Sequence, residues 1–243
     1  MQCSYCEYQN PQKANYCSKC GKKIHIITES NDYNKHIKKI SFLVFALLAY
    51  FVLVNFVHIG DGYINKLLIN MAFAVIILIF YFIDLSQINK LFRFSKPNKS
   101  LLFKIIILAP LFAVLVSYIA NLLNQNFSEI NYVTYYERFS DFPAPFIFAV
   151  ILVGIFPAIF EEIAFRGIVF NELSKITGLK SSIIISSILF TILHLSVISI
   201  FWIFPIGLIF GYFRAKYRTL WYGIIGHFIY NVSIVLIEII NFY

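Results

Sequence analysis

Ile159-Phe160-Glu161-Glu162-Ile163-Ala164-Phe165-Arg166-Gly167 places two adjacent carboxylates and a guanidinium inside an apolar run. The stretch leading into it, Pro145 to Phe160, carries no charge. A carboxylate in hydrocarbon costs several kcal/mol unless it is paired or faces a wet cavity, so intramembrane acids mark functional sites. On a helix, adjacent residues project about 100° apart, which predicts that the two carboxylates cannot aim at one point. Glu162 and Arg166 share a face at i,i+4. Arg166 is therefore expected to neutralise Glu162, leaving Glu161 to point into a cavity.

Outward from that segment the chain reads as a membrane protein. Its 243 residues are 60% hydrophobic and 13% charged, with a mean hydropathy of +0.77; soluble domains run about 25% charged. The expected class is an all-α polytopic membrane protein of seven helices. A span takes about 20 residues, and apolar segments lie at 41–59, 67–83, 101–122, 145–165, 181–199, 200–213 and 220–240. The sixth is short and holds Pro205, Gly207 and Gly211, so it reads as a tilted span or as a re-entrant hairpin with the fifth. Residues 41–123 read as an N-terminal group of spans, and residues 145–240 as a second membrane core that holds the two glutamates.

Charge sets the orientation. With the N-terminus inside, eleven basic residues fall in inner segments and seven more in the N-terminal region, while outer loops hold Lys66 and Arg138. This asymmetry satisfies the positive-inside rule and accounts for the net charge of +8. The charges thus serve orientation and contact with anionic lipid rather than nucleic acid. The expected location is the bacterial cell membrane with a cytoplasmic N-terminus. No apolar signal sequence opens the chain.

Residues 1–24 form a separate module. Cys3-Ser4-Tyr5-Cys6 and Cys17-Ser18-Lys19-Cys20 are two CxxC knuckles, and they contain all four cysteines. Four thiolates at this spacing suit a closed tetrahedral structural zinc site. So few residues bury too little core to fold alone, so the metal would supply the stability. The module resembles the short zinc ribbons of bacterial proteins, with Gly21 after the second knuckle and Glu7 where the first often has glycine. A cytoplasmic partner or the substrate is its expected target. Residues 25–40 read as a polar linker.

Three of the five histidines, His25, His36 and His58, lie before or at the end of the first span. The other two, His194 and His227, fall in the fifth and seventh. His227 and Asn231 are i,i+4 and can serve one cavity. Polar side chains on three separate spans are cheaper to bury in one pocket than apart. A helical rise of about 1.5 Å per residue puts that pocket in the inner half of the membrane, open to the cytoplasm, with His194 deeper than the rest.

Glu161, Glu162 and Arg166, then Phe190 and His194, then His227 and Asn231, each near a membrane helix and in that order, resemble the signature of the CPBP family. These are the CAAX proteases and bacteriocin-processing enzymes, also called the Abi or type II CAAX prenyl endopeptidase family. The likeness covers residues 145–235. It implies an all-helical intramembrane endopeptidase acting on a peptide or membrane-protein substrate within the lipid bilayer. Glu161 and His194 would activate water, and His227 and Asn231 would hold the oxyanion; peptide hydrolysis needs such a base and such donors. Family members have also been called metalloproteases. Glu161, His194 and His227 could instead ligate a catalytic zinc with an open fourth position. The alternative functions are a catalytically silent scaffold or bacteriocin-immunity-type binder on the same fold, and a transporter relaying protons. No inverted repeat supports the transporter.

Overall fold

The computed structural model describes residues 3, 5–6, 8–11, 14, 16–22, 30–56, 62–94, 96–126 and 137–242. Among them the chain is helical, with no strand. The main helices are α1 (Ser30–Phe56), α2 (Tyr63–Ile83), α3 (Lys99–Asn126), α4 (Pro145–Ile176), α5 (Leu179–Ile192), α6 (Ile200–Tyr217) and α7 (Trp221–Phe242). Five of them, α1, α2, α3, α4 and α7, are long and apolar enough to cross a membrane. Helix α5, at 14 residues, is a shorter apolar helix. The protein is thus an all-α membrane protein.

Three boundaries depart from the sequence reading. Helix α1 begins at Ser30, so residues 30–40, read as linker, are its first turns; residues 25–29 lie outside the described part. Helix α4 does not end near Phe165 but runs to Ile176. The charges that seemed to close it are paired inside the protein. Glu172 is buried and meets His36 and Lys39 of α1 and Lys175 of its own helix, and Lys39 also binds Asp84. This cluster ties α1 to the end of α4. Thr177 then leaves the helix in an extended conformation while its hydroxyl donates to the Leu173 carbonyl.

The third departure is at α5, which stops at Ile192 rather than near residue 199. Leu195 follows at φ 51°, in the left-handed region that disfavours a branched side chain. A turn held by Ser196 and Ser199 leads into α6. Helices α5 and α6 form an antiparallel hairpin whose backbones nearly touch. A Cβ on Gly207 would lie 3.0 Å from Ser187 Cβ, and one on Gly211 3.1 Å from Ile183 Cγ2. Small residues four apart permit such an approach in membrane helices.

Helix α4 is not regular. Residues Val150–Ile155 and Glu162–Val169 are wound as π-helix, a widened form that is rare and frequent at functional sites. Helix α7 packs along α3 and against the first π stretch, while α2, α5 and α6 reach the second. At the opposite end from the Glu172 cluster, Lys66 donates to Asp141 at 2.8 Å and to the Arg138 carbonyl. That bond holds the Asp141 carboxyl below its ordinary range.

Candidate active site

The second π turn opens on the two glutamates. Glu162 is fully buried and its Oε1 lies 3.0 Å from Arg166 Nη1, the expected i,i+4 pair. Arg166 is 1% exposed. Its Nη2 donates to the Gly207 carbonyl at 3.2 Å, and its guanidinium lies over the Phe190 ring at 4.4 Å and the Phe210 ring at 5.7 Å. The charge is thus held by one carboxylate, one carbonyl and two aromatic faces.

Both carboxylates lie against the same side chain. Glu161 Oε2 lies 3.8 Å from His227 Nε2, and Glu162 Oε1 lies 3.7 Å from His227 Nδ1. They do not converge on a point. They flank one imidazole, whose two nitrogens accommodate the angle between adjacent side chains. Helix α7 comes close enough for this at Gly223, where a Cβ would stand 2.3 Å from Glu162 Oε2. Any side chain there would displace the carboxylate.

Asn231 lies one turn beyond His227 and is already engaged. Its Nδ2 donates to the Val153 carbonyl at 2.8 Å, within the first π stretch. Arg214 of α6 does the same for the second: its Nε donates to the Arg166 carbonyl at 3.0 Å and a guanidinium N–H reaches Asn171 Oδ1. Winding an α-helix into π form shifts its hydrogen-bond ladder. Each stretch is met by a side chain from another helix. Arg214, 8% exposed, was counted from sequence only among the inner basic charges, and Gly223 gave no signal there at all.

His194 sits just past the end of α5 rather than inside a span. Its Nδ1 lies 2.8 Å from the Phe190 carbonyl. A carbonyl only accepts, so Nδ1 carries the proton and Nε2 of the neutral ring is bare. The His194 side chain is exposed and packs edge-on against Phe190 at 4.8 Å. Phe190 also stands edge-on to His227, with ring centroids 6.2 Å apart. One phenyl ring therefore contacts the key side chains of all three motifs.

Because α4 continues to Ile176, Glu161 lies near its middle.

A metal is a separate question at each candidate site. The thiols of Cys3, Cys6, Cys17 and Cys20 all lie within 4.8 Å of one another, with Cys3–Cys20 at 3.7 Å and Cys6–Cys17 at 3.6 Å. Tetrahedral bonds of about 2.3 Å set neighbouring sulfurs about 3.8 Å apart. The four cysteines can hold a metal ion. Burial pushes the Cys17 thiol up, but N–H donors from Cys20 and Lys19, the Asn10 amide and Cys6 outweigh it and bring it down to about 6. Its partner in that contact, Cys6, is pushed up to about 12. Glu161, His194 and His227 do not fit a metal in the same way. Among the described residues the cysteines are the only His, Cys, Asp or Glu group of three or more whose ligand atoms are drawn so close.

Residues 143–233 match the family model of the type II CAAX prenyl endopeptidase Rce1-like proteins. The segment includes every side chain of the three motifs. A Bacillus subtilis (strain 168) protein named "Putative membrane peptidase YdiL" is 29% identical over 90 residues, 37% of this chain and 37% of that protein. The chain thus covers little more than a third of the length of the curated relative it matches. No solved structure matches significantly.

Proposed function

We propose that the chain is an intramembrane endopeptidase that cleaves a peptide bond by water activated at Glu161. One observation carries the reading. Glu161 Oε2 is buried, has no hydrogen-bond partner in the protein and faces His227 at 3.8 Å, near the middle of a membrane helix. A purely structural ion pair accounts for Glu162 and Arg166 and leaves Glu161 unexplained. The match to an endopeptidase family over the same residues, and the likeness to a protein named as a membrane peptidase, support the same chemistry.

In this reading Glu161 takes a proton from water, and the hydroxide attacks the scissile carbonyl. His227 donates to the developing oxyanion, where a preorganised donor contributes roughly 10²–10³ in rate. Glu161 then returns its proton to the leaving amine. His194, with Nε2 bare, receives or steers the water's second proton. Arg166 pairs with Glu162, and Glu162 lies against His227 Nδ1 at 3.7 Å. Asn231 has one N–H on Val153 and a second free for the oxyanion. No step runs through a metal at these residues, because their donor atoms are not gathered for one.

The substrate is a peptide or membrane-protein segment in the bilayer. The basic asymmetry supports a cytoplasmic N-terminus, and the short cysteine module a bacterial cell membrane. The cysteine module binds structural zinc and recruits a cytoplasmic partner or the substrate. The test compares membrane and secreted peptides from cells carrying the wild type or Glu161→Gln. The amide keeps the shape but cannot accept a proton. Peptides that vanish in the variant, at equal expression, are expected. An unchanged peptide set refutes the reading and favours a silent scaffold.

A further inference from the structure

The chemistry above needs a water held against Glu161, and none of the motif side chains encloses one. A cavity of about 100 Å³ opens beside that carboxylate, between α4 and the first two helices. Glu161, Tyr50 and Asn70 supply its polar lining, and Phe51, Phe73 and Phe156 its walls. Tyr50 and Asn70 lie outside the segment that matches the peptidase family.

Both polar groups are held in place yet keep capacity to spare. Tyr50 donates its O–H to the Ile69 carbonyl at 3.1 Å, which leaves the oxygen's lone pairs free to accept. One N–H of Asn70 goes to the Lys66 carbonyl at 2.8 Å, leaving its second N–H and its carbonyl oxygen. The aromatic wall is packed, with Phe73 5.4 Å from Tyr50, 5.8 Å from Phe51 and 6.3 Å from Phe156. A buried water needs two to four polar partners and occupies about 30 Å³ of liquid volume. The cavity offers three partners and room for a few waters. In hydrocarbon, an asparagine and a carboxylate lining one cavity are costly unless water joins them.

We propose that this cavity is a water chamber in which Asn70 and Tyr50 hold the hydrolytic water against Glu161, so that helices α1 and α2 complete the active site. The proposal rests on the peptidase reading. Asn70 accepts from and donates to the water, Tyr50 accepts from it, and Glu161 takes the proton. Both residues are positioning residues, acting through the water.

The test uses purified full-length protein in detergent and an internally quenched library of membrane-segment peptides. Asn70→Leu keeps the volume and removes both polar functions. A misplacement of about 1 Å at a reacting group costs on the order of 10²-fold. Asn70→Leu is expected to lower kcat roughly tenfold to a hundredfold, with KM within about twofold and the unfolding temperature unchanged. Tyr50→Phe should lower it less, and Asn70→Ser, which restores a donor and an acceptor, should recover part of the loss. If Asn70→Leu and Tyr50→Phe cleave at the wild-type rate while Glu161→Gln is dead, the chamber is wrong and the peptidase reading stands. A loss that Asn70→Ser does not relieve, or that follows the folded fraction, likewise overturns the chamber. If Glu161→Gln cleaves normally, or the wild type cleaves nothing, the peptidase reading falls and takes the chamber with it.

Discussion

Gly223→Ala adds one carbon at the point where α7 comes closest to the buried glutamate. The new Cβ would lie 2.3 Å from Glu162 Oε2, 3.0 Å from its Cδ and 3.5 Å from its Cγ. Non-bonded heavy atoms settle at about 3.5 Å, so the carboxylate or the helix must give by roughly 1 Å. The carboxylate has little freedom. It is fully buried, with Arg166 Nη1 at 3.0 Å and His227 Nδ1 at 3.7 Å from its other oxygen. If α7 yields, overpacking costs about 1–3 kcal/mol. If the ion pair opens, the stranded charges cost about 3–5 kcal/mol. Alanine returns up to about 1 kcal/mol of helix propensity, too little to reverse the sign in most of that range.

Thermal unfolding in detergent is the assay, with Gly178→Ala as the control. Gly178 precedes α5 and a Cβ there meets nothing within 4 Å. At about 2–4 °C per kcal/mol for a chain of this size, Gly223→Ala should unfold several degrees lower. Gly178→Ala should stay within about 0.5 kcal/mol of wild type. Glu161-dependent cleavage should also fall in Gly223→Ala, on the order of 10²-fold, because the imidazole and carboxylate move together. A Gly223→Ala protein that unfolds and cleaves like the wild type would refute the close approach, and with it the packing of α7 on Glu162.

Asn231→Ala should cost about 1–3 kcal/mol, because the Val153 carbonyl loses its donor, and Asn231→Asp should do no better, since it presents a second acceptor; an unchanged melting temperature for both would remove that bond. Arg214→Ala should destabilise by a similar amount, with Arg214→Lys in between because an ammonium lacks the fork that spans the Arg166 and Asn171 oxygens; equal melting curves for all three proteins would show that Arg214 does not support the second π turn. Arg166→Ala should cost about 3–5 kcal/mol by leaving Glu162 charged and buried, and thermal stability equal to wild type would disprove the pairing. Elemental analysis should find one zinc per chain and none in Cys17→Ser, while Glu161-dependent cleavage of a short peptide persists; a ratio near two would indicate a second metal.

The membrane class and the clustering of the four cysteines were legible because each rests on a local signal, hydropathy in one case and a CxxC spacing in the other. The limits of the helices were less so. Hydropathy ended α4 at Arg166, since an unpaired charge ends a span, but Arg166, Glu172 and Lys175 are each paired within the protein. It extended α5 to residue 199 because Leu193, Leu195, Val197 and Ile198 are apolar. No glycine or proline marks the turn, which is set by Leu195 and the Ser196–Ser199 bond. The π stretches left no trace in the sequence. Each depends on a donor from a distant helix, Asn231 or Arg214, and that pairing exists only once the helices pack.

The charges at the centre of the site balance in a way that suits catalysis better than scaffolding. A buried ion pair alone gives little net stability, and apolar residues of like volume often replace it at no cost. Glu162 and Arg166 would then be dispensable, and Glu161 and His227 a pure expense. On the proposed mechanism, a proton passed from water to Glu161 leaves its negative charge on the oxyanion, so the step moves charge within the site without changing its sum. A chain that kept Glu162 and Arg166 but lost either Glu161 or His227 could not shift charge in this way. On the proposed reading the Glu161–His227 contact, more than the shorter Glu162–Arg166 pair, is the one a silent scaffold would have no use for.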